Sequence, residues 1–184
     1  MPVQPYFHFV FCLDESGSMA GKPWSDLCIA FRQFLEKRIA DQTENDLVTV
    51  IQFDNAKRTV HTRVALSRNI QLASQSQGGT YFVPPLQKTL NHMLSNRRQH
   101  EIPVLVFMSD GEAHDAANVL PSVRNLVNQV QNVEMHTVGF GSGAGHGLLQ
   151  VRTHATSTSI HLFVLRQWLM KAMDSITLPW MASS

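Results

Sequence analysis

Apolar residues along the chain form short, nearly continuous runs that polar segments separate. The run from Tyr6 to Leu13, YFHFVFCL, is apolar at almost every position, which is typical of a strand covered on both faces. Alternation of apolar and polar residues over 59–66 instead predicts a more exposed strand. The remaining apolar runs predict four more strands, at 46–53, 102–112, 133–140 and 157–164.

Helical spacing of apolar residues occupies segments between these runs. The first helix is predicted over 25–39, with Ser25 or Asp26 capping its start. An amphipathic helix over 165–176 is expected to close the fold, because its apolar residues share one face. Residues 177–184 then form a tail or linker stub.

Prolines mark the two helices in between. The helix within 81–98 must carry Pro84 and Pro85 in its first turn, where a missing backbone N–H costs little. In the helix predicted over 116–131, Pro121 demands a boundary or a helix start close to it.

Strands that alternate with helices predict an α/β fold. We expect a Rossmann-like three-layer sandwich, with a central, mostly parallel sheet of about six strands and helices on both faces. The length of 184 residues suits a single domain, with a core over about 6–176.

Composition narrows the range of partners. With 15 basic and 14 acidic residues, the formal charge of +1 gives no electrostatic reason to expect nucleic acid or an anionic membrane as partner. No apolar run is long enough to span a bilayer, and the first residues lack the features of a signal peptide. Cys12 and Cys28 lie in a predicted strand and helix, so we interpret both as buried thiols of an intracellular, cytoplasmic protein.

Oxygen-bearing side chains gather where two of the buried strands end. The first strand runs into Asp14-x-Ser16-x-Ser18, and the strand within 102–112 ends in Ser-Asp-Gly, which includes Asp110. A loop ending in Gly-Gly-Thr contributes Thr80. Because ligands of open parallel sheets bind outside the carboxyl ends of the strands, these groups are expected to converge if the two strands are neighbours. An all-oxygen set suits a hard cation such as Mg²⁺.

Together these three motifs, FVFCLDESGSM, GGT and VLVFMSDGE, resemble those of the von Willebrand factor A domain family. The resemblance extends over roughly 6–176 and implies a bound Mg²⁺ or Mn²⁺ and binding of a protein ligand without catalysis. The metal ligands that it implies are Asp14, Ser16, Ser18, Thr80 and Asp110. We also expect four neighbours to line the ligand site: Glu15, Gly79, Gly111 and Glu112. Gly79 is expected to let the Thr80 loop approach closely, and Gly17 to let the chain turn between the serines.

Two features differ from many members of that family. Secreted members often carry cysteines that flank the domain, and this chain has none there, which favours an intracellular location. The segment 141–161 is rich in glycine and histidine, and the sequence assigns it no role.

Other motifs support weaker hypotheses. GFGSGA at 139–144 fits a dinucleotide fingerprint, but the next acidic residue, Asp174, is too far along the chain for ribose recognition. His146, His154 and His161 are spaced too loosely for a zinc site, so we interpret them as surface or packing residues.

The Asp-x-Ser-x-Ser motif also supports hypotheses other than metal binding. Alone, it could cap a helix. Ser16 as a hydrolase nucleophile lacks the G-x-S-x-G context. Asp14 as the phosphoryl acceptor of a Mg²⁺-dependent domain is the stronger rival, although an aspartyl nucleophile does not need two hydroxyls on alternate positions.

The sequence therefore predicts a non-enzymatic, metal-dependent interaction module. It is expected to bind an acidic residue of a partner protein through the cation, with a phosphoryl-accepting or phosphatase-type domain as the alternative. The sequence does not identify the partner or the oligomeric state.

Overall fold

The computed structural model describes residues 5–41, 45–95, 97–111 and 113–141. The strand predicted at 157–164, the helix predicted at 165–176 and the tail lie outside these residues, as does Glu112. Within the described residues, no helix has both the length and the hydrophobicity that a membrane span requires.

Five strands form one sheet in the described part of the chain. In chain order they are β1 (Tyr6–Asp14), β2 (Leu47–Phe53), β3 (Lys57–Ala65), β4 (Glu101–Ser109) and β5 (Glu134–Gly139). Their order across the sheet is β3-β2-β1-β4-β5. β1 pairs in parallel with β2 and β4, and β4 with β5, whereas β3 is antiparallel to β2. The predicted mostly parallel α/β sheet is thus confirmed.

Within the described residues, three α-helices accompany the sheet: α1 (Lys22–Ala40), α2 (Val83–Leu94) and α3 (Ala116–Gln129). A single 3₁₀ turn, Gly17–Met19, follows β1. Pro84 and Pro85 do lie in the first turn of α2.

The predicted start of α1 is wrong by three residues. Gly21 precedes the helix with φ of 80°, a conformation that glycine adopts without strain, and Pro23 occupies the first turn. Neither Ser25 nor Asp26 caps the helix, since both lie inside it. Asp26 instead pairs with Lys22, four residues earlier on the exposed surface.

The boundary predicted near Pro121 is also wrong, because α3 runs through this proline. Val119, Val123 and Leu126 are buried on both sides of Pro121, so tertiary packing holds the helix across it. Ala117, whose carbonyl loses its usual partner, is exposed, so water can satisfy it.

Packing on the two faces of the sheet forms two separate hydrophobic cores. β1 shows the division, because Val10 and Cys12 pack in the core with α2 and α3. Phe9 and Phe11 pack in the other core, with α1. The ring of Phe11 meets that of Phe31 edge-on, with ring centroids 4.9 Å apart. Helices on both faces are thereby confirmed.

A buried ion pair and a neutral histidine connect the amino ends of β1 and β4 with strand β3. Glu101 of β4 is buried and accepts hydrogen bonds from Arg63 of β3, at 3.1 and 2.5 Å. His8 of β1 lies 3.2 Å from the same carboxylate and 2.8 Å from the hydroxyl of Thr49. Burial, with the neighbouring arginine, lowers the pKa of His8 to about 4, so the ring is neutral at pH 7.

At the carboxyl ends, the strand order creates a crevice. From β1 the chain moves to β2 on one side, and it returns to place β4 on the other side. The connections that leave β1 and β4 therefore diverge, and the space between them is where open α/β sheets bind their ligands.

Pro121 offers a test of the account of α3. Pro121→Ala restores one backbone N–H and removes the ring, so it should raise the free energy of unfolding by about 1–2 kcal/mol, less than the full cost of a helical proline because the unfolded chain also gains freedom. Thermal unfolding measures this change, and Arg124→Ala, an exposed substitution in the same helix, is the control. An unchanged or lower midpoint for Pro121→Ala would contradict the account.

Candidate metal centre

Asp14 ends β1 and lies at the base of the crevice with no exposed surface. Its Oδ1 accepts the backbone N–H of Ser16 at 2.9 Å, and its Oδ2 accepts the hydroxyl of Ser109 at 2.5 Å. Burial raises the pKa of Asp14 to about 6; these hydrogen bonds oppose that rise, and the negative charge of Asp110 adds to it. An anion held here is therefore poorly compensated by the protein alone.

Both serines of the predicted motif lie in the turn after Asp14. Ser16 is buried, Ser18 is exposed, and their hydroxyl oxygens are 3.1 Å apart. The hypothesis that this motif caps a helix is wrong. Ser16 precedes the 3₁₀ turn, but its side chain makes no capping hydrogen bond. The hydroxyl oxygens of Ser16 and Ser18 are therefore available to coordinate a metal ion.

Asp110 follows β4 and is partly buried. Its Oδ1 is shielded from solvent and has no hydrogen-bond partner among the described residues. Gly111 has φ of 100°, which side-chain-bearing residues rarely adopt, and its N–H donates to the Ser109 hydroxyl at 3.1 Å. An unpartnered buried carboxylate oxygen is costly, and a cation is the simplest compensation for it.

Thr80 reaches this edge on a separate loop that is tied to the first turn. The N–H of Gly17 donates to the carbonyl of Gly78 at 2.9 Å, and the N–H of Gln77 donates to the carbonyl of Glu15 at 3.0 Å. Thr80 itself is buried. The loop is thus fixed against the segment that carries the two serines.

The same loop is tied to the segment that follows Asp110. The backbone N–H of His114 donates to the carbonyl of Thr80 at 2.9 Å. The hydrogen bond from Ser109 to Asp14 joins the end of β4 to the end of β1. The turn after β1, the Thr80 loop and the segment after β4 are therefore connected in a closed ring.

Gly78, rather than Gly79, allows the close approach in this loop. A Cβ at position 78 would lie 2.4 Å from Oδ2 of Asp54 and 2.2 Å from Oδ1 of Asn55. At Gly79 the nearest atom would be Cε1 of His114 at 3.6 Å, which is ordinary contact. The prediction for Gly79 is wrong in this respect. The tight fit arises because Asp54 accepts the N–H of Gly78 at 3.0 Å.

Glu15 was expected to line the ligand site, but its buried carboxylate has protein partners. Its Oε2 accepts hydrogen bonds from Gln52 at 2.7 Å and from Arg58 at 2.5 Å. Arg58 also donates to the carbonyl of Ser74. Glu15 thus helps to hold the loop that leads to Thr80. The side chain of Glu112 lies outside the described residues.

The donor set fits a hard cation. Among the described residues there is no group of three or more histidine, cysteine or acidic side chains that could hold a metal. The crevice instead offers two carboxylates and neutral hydroxyls, which suit Mg²⁺ or Mn²⁺ far better than zinc. Asp14 and Asp110 repel each other and would both gain from a divalent ion between them.

The rival motifs gain no support from the described residues. The dinucleotide motif extends beyond Gly141, and His146, His154 and His161 lie outside the described part of the chain. The hydroxyl of Ser16 contacts that of Ser18 rather than a histidine.

Comparison with known sequences shows the family of the chain. The profile of the von Willebrand factor type A domain family (VWA) matches residues 9–175. The chain belongs to the VWA family. Domains of this family generally serve as adhesion and protein-interaction modules, often in a metal-dependent way.

Individual relatives are distant. This chain is 22% identical over 165 residues to inter-alpha-trypsin inhibitor heavy chain H3 of Mesocricetus auratus. The match covers 82% of this chain but only 18% of that protein. Of solved structures, manganese-loaded Plasmodium vivax TRAP protein matches with TM-score 0.63, at 17% identity, over 78% of this chain and 61% of that one. The ArnB paralog VWA2 of Sulfolobus acidocaldarius matches with TM-score 0.56, at 20% identity, over 74% of this chain and 35% of that one. At these identities the structural matches establish the fold alone.

The two loop glycines of this VWA domain should respond differently to a methyl group. Gly78→Ala should lower the free energy of unfolding by about 1–3 kcal/mol, because the new Cβ must displace the hydrogen-bonded carboxylate of Asp54. Gly79→Ala is the matched control and should change it by about 0.5 kcal/mol or less. Urea unfolding in EDTA measures both, and equal effects would contradict the assignment.

A second test concerns the pH dependence of stability without metal. Folded Asp14 keeps its proton up to about pH 6, whereas the unfolded chain releases it near pH 4, so the free energy of unfolding falls as pH rises through this window. Asp14→Asn cannot ionise, and its stability relative to wild type should therefore increase between these values, by on the order of 1–3 kcal/mol. Urea unfolding in EDTA across the window measures the difference, and parallel curves would refute the shift.

Proposed function

We propose that this VWA domain is a metal-dependent protein-binding module. It holds a Mg²⁺ or Mn²⁺ ion at the carboxyl edge between β1 and β4, and through that ion it binds an acidic side chain of a partner protein. The observation that carries the proposal is the buried Oδ1 of Asp110, which has no hydrogen-bond partner among the described residues and lies beside a second buried carboxylate.

Each ligand in this proposal has a distinct part. Asp14 and Asp110 supply the negative charge, and Ser16, Ser18 and Thr80 supply neutral hydroxyl oxygens. When bound, the ion supplies a positive centre that accepts a further oxygen ligand. Since Mg²⁺ prefers six oxygens and the chain offers five such side chains, one position is left for an oxygen from outside.

The chemistry of that sixth ligand follows from the charge balance. Only two of the five protein ligands would carry a charge, and the other three would be neutral hydroxyls, so the bound ion would still attract a further hard ligand strongly. A hard anionic oxygen therefore remains a favourable ligand, and Asp or Glu provides one on a protein surface. This reasoning supports a carboxylate from a partner protein as the occupant.

The geometry gives little support to Asp14 as a phosphoryl acceptor. A nucleophile needs an accessible oxygen, but Asp14 is fully buried and both its oxygens accept hydrogen bonds from Ser16 and Ser109. A metal ligand does not require the same access, because a carboxylate oxygen that accepts one hydrogen bond has a second lone pair for a metal ion.

The cysteines support an intracellular location within the same proposal. Cys12 is a buried free thiol in β1, and Cys28 is a partly buried free thiol in α1. Burial raises the pKa of both thiols, that of Cys12 to about 12, so both stay protonated at neutral pH. Unpaired structural thiols are usual in a reducing compartment.

Calorimetric titration with Mg²⁺ and with Mn²⁺ tests the metal site. Wild type should bind a single ion and gain about 2.7 kcal/mol of stability at a metal concentration 100 times Kd. Asp14→Ala and Asp110→Ala should lose this binding, whereas Asp26→Ala, an exposed acidic residue of α1, should keep it. In EDTA, Asp110→Ala should unfold at or above the wild-type temperature, because it removes an uncompensated buried oxygen.

Small carboxylates extend the same experiment to the open position. Glutarate should displace a water from bound Mn²⁺ and lower the proton relaxation rate of the solvent, whereas the neutral diamide of glutarate should not. Wild type that neither binds millimolar metal nor shifts its unfolding temperature would refute the metal site. Metal binding without any response to glutarate would refute the carboxylate.

A further inference from the structure

His114 holds the main chain of Thr80 through both its backbone and its ring. The backbone N–H of His114 donates to the carbonyl of Thr80 at 2.9 Å. Nδ1 of the ring lies 2.9 Å from the same carbonyl oxygen and 3.2 Å from the N–H of Thr80. A protonated Nδ1 donates to the carbonyl, and an unprotonated one accepts from the N–H, so either neutral tautomer keeps the contact.

Tyr81 packs against the ring of His114, although both residues are exposed. The rings of Tyr81 and His114 stack with centroids 5.2 Å apart and an angle of 23° between their planes. An exposed histidine is thus held in one place beside a buried threonine.

The residue after His114 extends the attachment to helix α2. Asp115 accepts the backbone N–H groups of Phe82 and Val83, at 2.9 and 2.8 Å. These are the groups that the start of α2 leaves without helical partners, so Asp115 caps this helix from a distant part of the chain. The segment after Asp110 therefore fixes Thr80 and the helix that follows it together.

We propose that His114 is the positioning residue for Thr80 in the cation site. It keeps the Thr80 hydroxyl at a fixed place relative to Asp110, so that the two sides of the crevice present their oxygens as one set. The inference rests on the proposed function, because Thr80 needs positioning only if it binds the ion. Mg²⁺ and Mn²⁺ sites are sensitive to such placement, since the octahedral shell of Mg²⁺ tolerates little displacement of a ligand.

A double-mutant cycle with Mn²⁺ as the probe tests this proposal. The variants are His114→Ala, Thr80→Ala and the double substitution, and His136→Ala in β5 is the histidine control. His114→Ala should weaken Mn²⁺ binding by roughly two- to tenfold, the equivalent of one hydrogen bond. The double variant should bind no more weakly than Thr80→Ala alone, because His114 then has no ligand to position.

Solvent proton relaxation gives a second readout that a general loss of stability would not change. If Thr80 leaves the ion in His114→Ala, a water takes its place, and the relaxation rate per bound Mn²⁺ should rise as it does in Thr80→Ala. His114→Asn should keep wild-type values, because its amide can place either the nitrogen donor or the oxygen acceptor where Nδ1 was. His114→Gln places them one carbon further out and should behave like alanine, which keeps the test valid if the alanine variant does not fold.

The outcomes separate this inference from the proposed function. Wild type that binds no Mn²⁺ overturns both. Wild-type binding with additive losses in the double variant, or with no loss in His114→Ala and His114→Gln, overturns the positioning role alone. No loss of affinity in Thr80→Ala also overturns it, because Thr80 is then not a ligand.

Discussion

Two carboxylates of like charge, those of Asp14 and Asp110, lie at the carboxyl ends of the neighbouring strands β1 and β4, where the charge of one acts on the other. Burial raises the pKa of Asp14, and the negative charge of Asp110 adds to that rise. The protein offers Asp14 two hydrogen bonds, from Ser16 and Ser109, and leaves Oδ1 of Asp110 without one among the described residues. The compensation by the described residues is therefore incomplete, and the proposed cation would complete it.

Topology brings the carboxylates together, and loop contacts hold what surrounds them. The strand order makes β1 and β4 neighbours, although their paired residues are 95 positions apart in sequence. Three connections then close a ring around the crevice: Ser109 to Asp14, Gly17 to Gly78, and His114 to Thr80. Because each connection joins a different pair of segments, displacement of one loop is felt by the other two.

The sequence predicted what depends on local pattern. Buried parallel strands read as continuous apolar runs, so β1 and β4 and the carboxylates at their ends were found correctly. Side chains that act across long separations in sequence were missed. Asp115 caps a helix 32 residues earlier, and Arg63 pairs with Glu101 38 residues later, so no local spacing reveals either contact. Pro121 was misjudged for a related reason, since burial on both sides of it outweighs its local preference.

The two edges of the sheet differ in a way that separates stability from function. At the amino edge, both oxygens of the buried Glu101 have partners, which include Arg63, His8 and the hydroxyl of Tyr6. At the carboxyl edge, a buried oxygen of Asp110 has no hydrogen-bond partner among the described residues. Proteins tolerate such local conflicts chiefly where function requires them. Since the chain pairs the buried carboxylate of Glu101 at one edge, the oxygen of Asp110 that has no partner among the described residues at the other edge is what supports the proposed metal site.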